Sequence, residues 1–155
     1  MDTDYRFHCM ERLLFYNLII IVVMQTKNDI ETTEDIKLLV DSFYAKVKED
    51  ELLSPIFLSR IPEDWQPHME KMYSFWNAAL LGVSGYRGAP FVPHATMPIA
   101  QEHFDKWLEL FAETLEELFD GPKAKETLQR AKNMATMFMY RLKEYQSKPQ
   151  QIPLV

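Results

Sequence analysis

Cysteine occurs once in the 155 residues, at Cys9, so no disulfide can close within the chain and a disulfide-stapled extracellular scaffold is excluded. That single thiol, with four histidines, also excludes a cysteine-rich zinc site. Four glycines are too few for the turns of a β-sandwich and argue for helices. Positive charge is in deficit: 17 Lys and Arg against 23 Asp and Glu leave a net −6, so no global basic field exists to attract nucleic acid. No apolar run reaches the roughly 20 residues that a membrane-crossing helix needs. What is present is 47% hydrophobic, 13% aromatic and 26% charged, the balance of one folded domain with no room for a separate cofactor module. The composition indicates an acidic, mostly helical, cytoplasmic protein.

The nearest approach to a membrane segment is Leu13–Met24, a dozen residues broken only by Asn17. Arg6 and Arg12 precede it as in a signal peptide, but Gln25-Thr26-Lys27 is no cleavage site. An upstream start codon with the true start at Met24, a membrane-associating tail and a packed N-terminal element all fit. Membrane contact is expected only if residues 1–23 are retained. The expected division is an N-terminal extension over 1–30, a helical domain over 31–146 and a frayed tail over 147–155.

Helical periodicity starts at Thr32, where hydroxyls and Asp35 supply capping and first-turn negative charge. Ile36, Leu39, Val40, Phe43 and Val47 form one apolar stripe. Ser54-Pro55 ends that region. A second stripe, Met69, Met72, Tyr73, Trp76 and Leu80, follows Pro67 and stops at Gly82. Phe104, Trp107, Leu108, Phe111, Leu115, Leu118 and Phe119 make a third, ended by Gly121-Pro122. Ala124, Leu128, Ala131, Ala135, Phe138 and Leu142 make the fourth. Four amphipathic helices must bury these stripes against one another, giving an all-α domain. Between the second and third, residues 82–98 hold three of the four glycines and three of the nine prolines, a long irregular loop of the functional kind.

The common enzyme signatures are missing: no Glu-x-x-His pair for a di-iron bundle, no His-Glu-x-x-His, no phosphate loop, no nucleophile elbow. Two histidines remain in distinct settings. His68 sits in a first helical turn with Met72, Phe75 and Ala79 on its face, and His94 sits in the Gly/Pro-rich loop. One neutral imidazole from such a loop suits the proximal side of a haem iron; capping of the next helix, or plain exposure, is the bland alternative. Tyr44 and Trp107 can equally be core residues, His68 a solvated one, and His103 falls among polar residues at the surface.

Residues 36–145 carry Phe43-Tyr44, Leu53-Ser54-Pro55-Ile56-Phe57, Trp65-x-x-His68, Phe75-Trp76 with Leu80-Leu81-Gly82, Tyr86-x-Gly88-x-Pro90, Pro93-His94, and His103-Phe104-x-x-Trp107-Leu108-x-Leu110-Phe111. In this order and spacing the stretch resembles the truncated haemoglobins, most closely their third group. The resemblance implies a shortened globin-like fold, two helices across two, with haem b between them. It implies His94 as the iron ligand, and Tyr44, Trp107 and His68 as the distal residues facing a bound ligand. It places Met72 over the haem and makes Phe43, Phe57, Trp76 and Phe91 pocket or adjacent core residues. Tyr86, Arg87 and Lys71 are candidates for the haem propionates.

The function implied is binding of O2, CO or NO at haem iron. A polar distal pocket should hold O2 tightly, which suits nitric oxide dioxygenation or peroxide reactions better than bulk transport. Turnover would need an external reductase, since no flavin or nicotinamide site is recognisable. The competing expectation is a globin-shaped interaction or sensor domain without turnover.

Overall fold

The computed structural model describes residues 27–61 and 63–147. The apolar run at Leu13–Met24 and the tail beyond Ser147 lie outside them. Among the described residues six helices follow in order: α1 Thr33–Glu49, α2 Ser54–Leu58, α3 Gln66–Leu81, α4 Phe91–His94, α5 Gln101–Leu118 and α6 Pro122–Ser147. Among the described residues there is no strand, and no helix is long and apolar enough to cross a membrane. The four long helices are those the periodicity predicts.

Local chemistry sets their ends. Thr32 is the N-cap of α1 and shares a capping box with Asp35: the Asp35 N–H donates to Thr32 Oγ1 at 3.2 Å, and the Thr32 N–H to Asp35 Oδ2 at 2.9 Å. Gly82 ends α3 with φ of 67°, a left-handed cap that a side chain would disfavour. The connection at Ser54-Pro55 folds as α2, a single turn with proline in its first turn. The segment expected to be wholly irregular over 82–98 contains another single turn, α4. Four residues with Pro93 inside are too short to leave a periodic signature.

α1 packs against both α3 and α5, α5 against α6, and α4 against α6. The first pair of helices therefore crosses the second, with α1 at the junction. The α1 stripe is buried as expected, and Phe43 and Phe111 lie at its centre, 2% and 1% exposed. Phe111 is sandwiched between Trp107 (5.0 Å between centroids) and Trp76 (5.1 Å), both stacked, while Phe43 meets it edge-on at 5.2 Å. On α6 Thr127 and Ala131 are fully buried, with Leu128 half-buried; the Thr127 hydroxyl donates to the Lys123 carbonyl.

Packing contacts begin ahead of α1. Ile30 is 1% exposed and belongs to the core. Asp29 reaches across 94 residues to accept the N–H groups of Lys123 and Ala124 at 2.8 Å, capping α6. Gly121 makes this approach feasible, because a Cβ there would lie 2.3 Å from Asp29 Cγ. Burial opposes ionisation of Asp29, but donors from Lys123, Ala124 and Ile30 hold its carboxyl below the usual value. These contacts join residues far apart in the chain and carry no periodic signal in the sequence. Asp29→Ala should lower stability by about 1–2 kcal/mol in denaturant titration, and Asp29→Asn, which keeps an acceptor, by less.

Candidate functional site

A cavity of about 1130 Å³ opens between α3 on one side and the α4–α5 segment on the other. Its walls include every residue singled out from sequence but one: Phe43, Tyr44, Phe57, His68, Lys71, Met72, Trp76, Tyr86, Arg87, His94 and Trp107. Phe91 is the exception. It points away at the start of α4, packing on Phe138 (5.6 Å) under the Arg141 guanidinium, so it supports the wall without forming it.

His94 ends α4, and its ring is fixed from two directions. Nδ1 lies 2.6 Å from the Pro90 carbonyl oxygen, one helical turn back. A carbonyl can only accept, so Nδ1 carries the proton and Nε2 keeps a lone pair. Phe138 of α6 packs on the ring at 4.9 Å. Burial lowers the imidazole pKa and outweighs the bond to Pro90, which raises it, so the net effect favours the neutral ring that Pro90 holds in place. An oriented neutral imidazole with one unprotonated nitrogen is the chemistry of a metal ligand.

His68 enters the same cavity from the first turn of α3. Tyr44 lies 5.0 Å from its ring, with Phe57 and Trp65 each at 6.2 Å. Nε2 is buried with no hydrogen-bond partner among the described residues. Burial, then the charges of Lys71 and His94, push its pKa down to about 4, so it is neutral at pH 7. The solvated histidine expected as the bland alternative is not what the fold contains. Tyr44 is 5% exposed, and burial pushes its phenol well above the ordinary tyrosine value, so the hydroxyl keeps its proton and can donate. Trp107 forms the next wall, set by its stack on Phe111 and an edge contact with Phe43 at 5.2 Å.

Two residues that sequence reasoning passed over also line the cavity. His103, expected at the surface, is half-buried; its Nδ1 accepts the Ala100 N–H at 3.1 Å, half of a capping box at the start of α5. Arg60 follows α2 and had no motif to mark it. Lys71 and Arg87 are exposed at the rim, where cations can meet anionic groups without desolvation, and Tyr86 packs against Phe75 at 5.2 Å.

The profile of the bacterial-like globin family matches residues 28–140. A group 3 truncated haemoglobin of Campylobacter jejuni is 38% identical over 116 residues, spanning 72% of this chain and 91% of that protein. The chain belongs to the truncated haemoglobins. The crystal structure of the group III truncated haemoglobin from Campylobacter jejuni superposes with a TM-score of 0.71 at 36% identity, covering 76% of this chain and 95% of the other. A 2/2 haemoglobin from Synechococcus sp. PCC 7002, solved in the cyanomet state with covalently attached haem, shares the fold at 20% identity, with a TM-score of 0.60 over 70% of this chain and 92% of its own. The expected all-α two-over-two fold is thus the observed one, and membership of this family implies haem binding and diatomic ligand binding.

The residues of this truncated haemoglobin fit such a group. The cavity is larger than the about 300–1,000 Å³ of ordinary small-ligand sites, its walls are flat aromatic rings, and one prepared imidazole faces it. No cluster of three His, Cys, Asp or Glu side chains is present among the described residues, whereas a tetrapyrrole iron needs one protein ligand.

The neutral His68 has a pH signature. The unfolded chain takes up a proton near pH 6.5, the folded one only near 4, so acid favours unfolding across that window. Stability should fall as pH drops from about 6.5 to about 4, and His68→Leu should flatten that fall in denaturant titrations. Equal slopes for the variant and wild type would show that the imidazole is not held neutral.

Proposed function

We propose that the protein holds haem b in this cavity and binds O2, CO and NO there. In this reading it uses O2 for chemistry, such as nitric oxide dioxygenation or peroxide reactions, in preference to carrying it. The observation that carries this reading is the single cavity shared by His94, with its free Nε2, and the protonated donor Tyr44, with Trp107 and His68 beside it. Haem bound here supplies an iron that holds diatomic ligands and exchanges electrons.

His94 would hold the iron through Nε2, and the Pro90 carbonyl keeps its ring aimed. Phe43, Phe57, Met72 and Trp76 would offer apolar surface to the macrocycle, and Tyr86, Arg87 and Lys71 would meet its carboxylates. The Tyr44 hydroxyl and the Trp107 indole N–H would donate to partial negative charge on a bound diatomic ligand. These donors sit in an aromatic pocket and are fixed before the ligand arrives, so they stabilise that charge with little reorganisation. Such a pocket releases O2 slowly, which is poorly suited to transport. Combining O2 with nitric oxide to nitrate consumes one electron, so turnover requires an external reductase.

Two measurements test this. The purified protein, reduced and exposed to CO, should show a strong haem band that shifts with CO, and His94→Ala should weaken or alter it. Tyr44→Phe and Trp107→Phe should each raise the O2 dissociation rate, by roughly 10- to 150-fold if the lost hydrogen bond is charge-assisted. Unchanged rates in both would remove the donors from the mechanism.

A further inference from the structure

The two walls of the cavity are built from different parts of the chain. Residues 40–76 with Trp107 and Phe111 make one, and residues 85–104 with part of α6 make the other. Among the described residues one side-chain hydrogen-bonding group joins them. Arg60 Nη2 donates to the Thr96 carbonyl at 2.9 Å and to Thr96 Oγ1 at 3.2 Å. Both residues are exposed to solvent and both line the cavity, which places the pair on its rim. Each end is anchored close to the site. The Arg60 N–H donates to the carbonyl of Phe57, itself a wall residue, and Thr96 stands two residues after His94. The guanidinium thus ties the end of α2 directly to the segment that carries the axial histidine. Both bonds come from the one Nη2, so two oxygens of a single residue hold the end of the guanidinium, whose charge strengthens each bond.

We propose that Arg60 is a latch for the cofactor. A flat tetrapyrrole lying between His68 and His94 can leave only edgewise through the rim, and the Arg60–Thr96 bridge closes part of that opening. Arg60 then governs how fast the cofactor is lost. The proposal rests on the haem reading above, but it concerns a residue which that reading does not use.

The test is transfer of haem from the loaded protein to an excess of a haem-scavenging apoglobin, followed by absorbance. Arg60→Ala should release haem about three- to tenfold faster than wild type, the range expected for loss of an exposed hydrogen-bonded bridge. Arg60→Lys should fall between the two. Thr96→Ala should have a small effect, because the carbonyl acceptor remains, and Arg60→Ala with Thr96→Ala should be no faster than Arg60→Ala alone. Asp29→Ala, destabilised at the far end of α6, should lose haem at the wild-type rate. An unchanged rate in Arg60→Ala, additive effects in the double variant, or equal acceleration in Asp29→Ala would each overturn the latch. A wild type that takes up no haem at all would overturn the cofactor reading and the latch together, whereas equal loss rates from loaded variants overturn the latch alone.

Discussion

The stack of Trp107, Phe111 and Trp76, met edge-on by Phe43, is the contact on which the rest of the molecule depends. It joins α1, α3 and α5 at one point, and three of its four rings are buried. Aromatic pairs of this kind add about 0.5–1.5 kcal/mol each beyond the area they bury, and they fix angle as well as distance. All four rings also face the cavity. The same atoms therefore close the core and form one wall of the site, so the site inherits the rigidity of the core. Tyr44 follows Phe43 in sequence and is carried into place with it, 5.0 Å from its ring.

The opposite wall is built more lightly. α4 is one turn of four residues, and it depends on Phe138 and on the Pro90 carbonyl to place a single imidazole. The contrast is physically sensible. On the haem reading proposed above, donors to a bound ligand must not reorganise, whereas a single ligating imidazole needs only the few outer contacts that fix its tautomer and direction.

The long helices were legible because burial imposes a 3.6-residue period: every α1 stripe residue named from sequence is buried. α4 and the Asp29 cap were not, since four residues carry no period and a contact across 94 residues leaves no local trace. The site divides in the same way. His94, Tyr44 and Trp107 were separable from ordinary core or surface residues only through the resemblance of the whole pattern to a family, because an apolar stripe looks the same whether it faces a helix or a cavity. Phe91, read as a pocket or adjacent core residue, turns its ring to α6 and packs in the core beside the cavity. His103 looked exposed among charged neighbours, yet the fold returns its ring to the start of its own helix and to the cavity wall.

The strap ahead of α1 is pinned at the corner where α5 ends and α6 begins: Asp120 donates to the Asn28 carbonyl, Lys27 to the Glu116 carbonyl, and Asp29 accepts from α6. On α5 the cavity wall extends no further along the chain than Phe111, and on α6 it begins only at Met134. At 1.5 Å per residue, that corner stands several residues beyond the wall along both helices. Whatever chain precedes Lys27 is thus joined on the side away from the rim. The point of attachment at Lys27 therefore leaves the rim of the cavity free, and a tether to a surface or to another protein could be joined there.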